Sequence, residues 1–314
     1  MRCVNPLTGY QHPSGGPVRF ISDPLLKRLS LPCGQCIECR LERTRQWAVR
    51  ITHEAQLHTH NYFVTFTYRD DSHRSLDHAD FQAFIKRLRK KQKCRYFMCG
   101  EYGDIRARPH YHAILFGLHL SDLTPFSYSG SAAGPRAAQA LVDPGQRAAL
   151  PATLYTSETL TKTWGLGHVT IGHVTFQSAS YVASYCTKKI NISRKTPPQL
   201  RDTYIKTDHS TGEIYERTPE YARMSLKPAI ALPWIKKFTS DVYSYDHVVI
   251  DGRKQKPPRY YDKYLETINP ALLEKFKLDR QVKGALSATE NSPSRLKARE
   301  IYSTARFKQS KRTL

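Results

Sequence analysis

Strand-like and helix-like runs alternate along the first two thirds of the chain. "NYFVTFTY" (61–68) is rich in β-branched and aromatic residues and predicts a strand. "SLDHADFQAFIKRLRKK" then places Phe81, Phe84, Ile85 and Leu88 on one helical stripe, with Asp77 as N-cap and Asp80 in the first turn. Its Lys and Arg residues gather at the C-terminal end, where the helix dipole favours cations. "CRYFMCGEYG" and "PHYHAILFG" follow as two apolar strands joined by a short turn, so they should pair antiparallel. Upstream, "ECRLERTRQWAVRITHEAQLH" repeats Leu41, Ala48, Ile51, Ala55 and His58 at helical steps, with Arg40, Arg43, Arg45 and Arg50 on other sides. This predicts an amphipathic helix with a basic exposed face. Residues 119–153 shift to Ala, Ser, Gly and Pro and predict an inserted surface loop. "LYTSETLTKTWGLGHVTIGHVTF" predicts a short helix and a strand around 167–176, and "QSASYVASYCTKKI" a helix. From about 191 the chain turns polar and loop-rich, ending in "SRLKAREIYSTARFKQSKR", a basic helix or tail.

The element order β, α, β, β, loop, β, α across residues 60–190 predicts an α+β fold: an antiparallel sheet flanked by two helices on one side, in the ferredoxin-like manner. Three regions are expected: a Cys-rich segment and basic helix (1–59), the core (60–190, with 119–153 inserted), and a basic C-terminal region (191–314). The chain of 314 residues is long enough for its own hydrophobic core. The cysteines number seven, an odd count, and three crowd between 33 and 39, which favours reduced thiols over secreted cross-links. With no signal-peptide pattern and no run approaching the roughly 20 apolar residues of a membrane span, an intracellular, soluble protein is expected. Composition then changes the picture: 49 Lys+Arg against 27 Asp+Glu give a net charge of +22. A field of that size points to nucleic acid as partner. A membrane surface is disfavoured, because no segment joins a basic face to a broad apolar one.

Three groups carry candidate chemistry. His110 and His112 share one face of their strand, with Tyr111, Ala113 and Leu115 on the other. Glu101, at the end of the neighbouring strand, is placed to join them. Two imidazoles and a carboxylate leave open positions on a Mg²⁺ or Mn²⁺ ion acting as Lewis acid on a phosphate. The alternative is a pair of satisfied core histidines. Tyr181 and Tyr185 are four apart on a helix, and Lys188 follows one turn later. A phenolate favoured by a nearby cation could attack phosphorus, although two such tyrosines can also be a packing pair. Cys33-x-x-Cys36-x-x-Cys39 has thiolate-ligand spacing, and Cys3 could complete a tetrahedral zinc site; ordinary reduced thiols are the alternative. Cys94, Cys99 and Cys186 read as small core residues, and His168 and His173 as structural or solvent-facing. Arg106, Arg108, the Arg40–Arg50 helix, the Lys86–Lys91 cluster and the tail are expected to contact phosphate.

The blocks "PCGQCIECR", "CGEYG", "RPHYHAILFG", "WGLGHVTIG" and "SASYVASYCTKK", in this order over residues 33–189, resemble the replication initiators of gokushovirus-type microviruses. These are two-tyrosine HUH endonucleases of rolling-circle replication. The resemblance implies site-specific nicking and joining of single-stranded DNA: Glu101, His110 and His112 would hold the divalent ion, and Tyr185 would attack to form a 5′-phosphotyrosine and free a 3′-OH primer. Tyr181 would make the second cut, the order of the two tyrosines staying open. Lys188 would neutralise phosphate charge or favour the phenolate, with Lys189 as its substitute or as a DNA contact. The expected DNA partner is the phage origin, single-stranded or as supercoiled duplex, in the cytoplasm of the bacterial host. The sequence contains no Gly-x-x-x-x-Gly-Lys-[Ser/Thr] loop, so a host helicase would separate the strands and a host polymerase extend the primer. Two rivals are a non-catalytic basic DNA-binding or packaging protein, which predicts that the site residues are scattered, and an HUH transposase or relaxase.

Overall fold

The N-terminal run of turn residues folds as a hairpin, β1 (Leu7–Gln11) against β2 (Lys27–Leu31), with Leu7 opposite Leu31. A cysteine-bearing turn leads into α1 (Ile37–Ala55). The core then runs β3 (Asn61–Thr67), α2 (His78–Lys91), β4 (Arg95–Tyr102), β5 (Pro109–Phe116), β6 (Leu123–Phe126), β7 (Leu154–Ser157), α3 (Glu158–Trp164), β8 (Val169–His173) and α4 (Phe176–Lys188). Beyond it lie β9 (Ile205–Thr207), β10 (Ile214–Glu216), β11 (Tyr221–Met224), α5 (Leu232–Lys237), α6 (Thr239–Tyr243), β12 (Val248–Ile250) and β13 (Arg253–Gln255). Three helices close the chain: α7 (Arg259–Ile268), α8 (Pro270–Leu286) and α9 (Pro293–Ser310). This computed structural model describes residues 3–69, 74–103, 107–126, 154–188, 202–208, 211–286 and 288–310. They fall into two units, Met1–Gln46 with Arg259–Leu314, and Trp47–Pro258.

In the second unit seven strands form one antiparallel sheet in the order β11-β4-β5-β3-β8-β7-β6. α2 forms where the stripe predicts: Asp77 caps it by accepting the Ala79 N–H at 2.8 Å, and Phe81, Phe84, Ile85 and Leu88 are buried. These side chains join Val64, Phe66, Tyr111, Ala113, Leu115, Trp164 and Ile171 in the core on one face of the sheet. Each large side chain sealed there contributes roughly 1.5–3 kcal/mol relative to exposure. α3 starts at Ser157, whose hydroxyl accepts the Leu160 N–H at 3.1 Å, and stops at Gly165 in the left-handed region (φ 74°).

The α+β class with an antiparallel sheet stands, and three details differ from expectation. First, the two helices do not share one side. Tyr181 of α4 packs on Phe63 (ring centroids 6.0 Å apart), whereas Val64 and Phe66 point to the α2 core. Period two explains this: Phe63, Thr65 and His112 face away from Phe66 and Tyr111, and α4 covers that other face. Second, Leu123–Phe126, inside the expected inserted loop, is strand β6 on β7; residues 127–153 lie outside the described residues. Third, the polar region after 191 supplies β11, which adds to the sheet edge with Tyr221 opposite Gly100. Among the described residues no helix is long and apolar enough to cross a membrane.

Candidate active site

The register of β4 and β5 sets Glu101 directly opposite His110, and His112 follows on the same face. Glu101 Oε1 lies 2.8 Å from His110 Nε2 and 3.0 Å from His112 Nε2. Glu101 and His112 are buried, His110 partly so. Each imidazole is oriented from behind. His110 Nδ1 lies 3.1 Å from the Arg108 carbonyl, and His112 Nδ1 lies 2.9 Å from the Thr65 hydroxyl, which sits opposite it on β3. Both Nε2 atoms are thereby turned toward the carboxylate, the arrangement that supporting hydrogen bonds give to metal-ligating histidines.

The donor set has a proton problem that a cation solves. A carbonyl only accepts, so His110 Nδ1 must carry hydrogen; its Nε2 then faces a carboxylate that also only accepts. A neutral imidazole cannot serve both. Burial raises the Glu101 carboxyl, but hydrogen bonds from His110 and His112 and their charges outweigh it and hold the group well below the usual carboxylate range. Spacing agrees: adjacent ligands about 2.1 Å from an octahedral ion stand about 3.0 Å apart. The residues fit a divalent ion.

α4 brings both tyrosines to this face. Tyr185 stacks on His112, with ring centroids 5.3 Å apart and planes at 16°. Tyr181 meets Tyr185 edge-on at 4.9 Å and His112 at 5.2 Å. Tyr185 is buried; that burial, the Glu101 charge and hydrogen bonding with Tyr181 and Glu101 push its phenol well above the usual value. The four cysteines also converge: the sulfurs of Cys3, Cys33, Cys36 and Cys39 lie within 4.8 Å of one another.

The remaining expectations divide. Lys188 ends α4, but its side chain, like Arg106 and Lys189 entirely, lies outside the described residues. Arg108 is half-buried and contributes its carbonyl to His110. The basic face of α1 is corrected. Arg43 donates to the Gly34 carbonyl at 3.1 Å, Arg45 clasps Glu42 at 2.6 and 2.8 Å, and Arg50 donates to the Ile230 carbonyl at 2.9 Å while lying over Trp47. Long guanidinium side chains reach these acceptors and are satisfied within the protein. In the Lys86–Lys91 cluster, Arg87 and Arg89 likewise donate to the Thr163 and Cys94 carbonyls, while Lys86, Lys90 and Lys91 are exposed. Cys94 and Cys99 are buried and His168 and His173 exposed; the Cys186 side chain is outside the described residues. Sequence reasoning missed Thr65, whose only signal is its register opposite His112.

Sheet, His-x-His pair, facing carboxylate and tyrosine helix define an α+β core of the HUH type. The family profile of the ORF2-type replication-associated proteins matches residues 61–190. Replication-associated protein VP4 of Bdellovibrio phage phiMH2K is 30% identical over 287 residues, covering 86% of this chain and 79% of that protein. Replication-associated protein ORF2 of Spiroplasma virus 4 is 30% identical over 298 residues, covering 85% of this chain and 81% of that protein. Replication-associated protein ORF4 of Chlamydia phage 1 is 25% identical over 249 residues, 76% of this chain and 54% of that protein. No solved structure matches significantly. The chain belongs to the replication-associated proteins of phages, and its role is in phage replication.

Proposed function

We propose that this protein nicks and rejoins single-stranded DNA to start and finish rolling-circle replication of a small phage genome in the bacterial cytoplasm. The observation that carries this reading is the single carboxylate oxygen of Glu101 shared by His110 and His112 at 2.8 and 3.0 Å, with Tyr185 stacked on His112. Glu101, His110 and His112 hold Mg²⁺ or Mn²⁺, which when bound polarises the scissile phosphate as a Lewis acid. Tyr185 Oη attacks phosphorus, the bond to the 3′ oxygen breaks, and that oxygen leaves as the 3′-OH primer while the 5′ phosphate stays on the tyrosine. Tyr181, one helical turn away, makes the second cut, and the 3′-OH released there closes the displaced strand by attacking the first phosphotyrosine. No ATP is needed, because the phosphotyrosine conserves the bond. Lys188 neutralises phosphate charge, and Arg106, Arg108 and Lys189 contact the flanking backbone. A host helicase and polymerase supply strand separation and synthesis.

The test is adduct formation. The full chain is incubated with Mn²⁺ and labelled single-stranded fragments tiling the phage genome that encodes it, then denatured. A covalent protein–DNA adduct is expected on one fragment, abolished in the Tyr181→Phe, Tyr185→Phe double variant and in His110→Ala. Tight, salt-sensitive binding with no adduct on any fragment would instead support the packaging reading.

A further inference from the structure

The four cysteines lie outside the nicking site, in the unit made of Met1–Gln46 and Arg259–Leu314. We propose that Cys3, Cys33, Cys36 and Cys39 bind one structural zinc ion, and that this ion is the staple on which their unit folds. Geometry comes first. Thiolates about 2.3 Å from a tetrahedral zinc stand about 3.8 Å apart. Cys3 Sγ and Cys36 Sγ are 3.8 Å apart, and all four sulfurs fall within 4.8 Å. A multi-iron cluster would hold its thiolates further apart than this.

The turn is built to support negative sulfur. The Cys33 N–H points at Cys3 Sγ (3.3 Å), and the N–H groups of Gln35 and Cys36 point at Cys33 Sγ (3.4 and 3.2 Å). Amide donors aimed at sulfur favour thiolate, the form that binds metal. Arg43 grips the same turn through the Gly34 carbonyl. Zinc here ties residue 3 to residues 33–39, closing the segment that carries the β1–β2 hairpin.

The unit also needs a staple. Among its described residues the buried hydrophobic side chains are Cys3, Val4, Tyr261, Leu265 and Leu273, while Leu7, Phe20, Ile21 and Leu25 are exposed. A region with so little apolar burial cannot offset the entropy of ordering its chain, and small units in that position use metals or disulfides. In a reduced compartment the metal is the workable choice.

The full chain, purified under reducing conditions without chelator, tests this by elemental analysis. One zinc per chain is expected, kept in the His110→Ala, His112→Ala variant and lost in Cys33→Ser, Cys36→Ser. A mercurial titration of wild-type thiols should release that zinc into a colorimetric chelator, and cobalt in its place should show a tetrathiolate spectrum. Chelation should make residues 3–46 and 259–310 protease-sensitive while 47–258 stays resistant. Folded wild-type protein without zinc, a Cys3–Cys36 disulfide by mass spectrometry, or zinc retained by the cysteine variant would overturn the site. Unchanged protease resistance of the chelated protein would overturn its role as staple. All these readouts are independent of nicking.

Discussion

His53 is buried flat against the Trp234 indole, with ring centroids 3.5 Å apart and planes at 9°. Burial disfavours its charged form and pushes the imidazole down to about 3, against 6.5 ordinarily. Between those values the unfolded chain binds a proton that the folded chain refuses, so stability falls as pH falls through 6.5. Each pH step of one costs about 1.4 kcal/mol there. The adjacent Glu54 acts lower. Its burial is outweighed by hydrogen bonds from His58, the Ala231 N–H and Arg95, which hold its carboxyl below 4.5. Its contribution is therefore present above 4.5 and lost as pH falls further, leaving the window between 6.5 and 4.5 to His53. Urea unfolding at about pH 5 rather than about pH 7.5 should show a loss of about 2 kcal/mol from this group. In His53→Phe, which keeps a ring on Trp234 but cannot titrate, that loss should be smaller by the same amount. Equal losses in both proteins would show that His53 does not couple protonation to folding.

At the scale of elements, the junction between α3 and β8 depends on one missing side chain. A Cβ on Gly167 would stand 2.2 Å from the Thr67 carbonyl oxygen and 2.6 Å from the Arg69 nitrogen. The approach is that close because Thr67 and His168 exchange backbone hydrogen bonds at 3.0 and 3.1 Å, and the Trp164 indole donates to the same Thr67 carbonyl. Gly167→Ala must push β8 away from the end of β3, at a cost of about 1–3 kcal/mol. A denaturation midpoint unchanged from wild type would contradict that. β3, α2, β4, β5 and the Glu101–His110–His112 constellation were legible in the sequence for a local reason: short turns and strict periodicity dictate which neighbours pair and which residues share a face. What lay beyond local pattern was not. Tyr221–Met224 pairs with a strand more than a hundred residues earlier, and nothing in four residues announces that. Helical periodicity marked an apolar face on α4 but carried no information about which side of the sheet it covers. Thr65 became meaningful only through its register opposite His112.

At the scale of the molecule, a net charge of +22 overstates how many cations face DNA. Arg43, Arg45, Arg50, Arg87 and Arg89 spend their guanidinium groups on carbonyls and a carboxylate of the protein itself. Lys86, Lys90 and Lys91 instead stand exposed along the C-terminal half of α2. Affinity for single-stranded DNA falls with salt at a logarithmic slope of about −0.7 per neutralised phosphate. If contacts come from exposed lysines, the triple variant Lys86→Ala, Lys90→Ala, Lys91→Ala should flatten that slope by about 2, in proportion to three lost phosphate contacts. Arg45→Ala with Arg50→Ala should leave the slope unchanged, because neither guanidinium is available to release a counterion. Fluorescence anisotropy of a labelled oligonucleotide across a salt series reads both slopes. The reverse pattern, a flat slope in the arginine variant and an unaltered one in the lysine variant, would mean that phosphate displaces the internal acceptors on binding. α1 would then be the DNA-facing element that its arginine spacing first suggested.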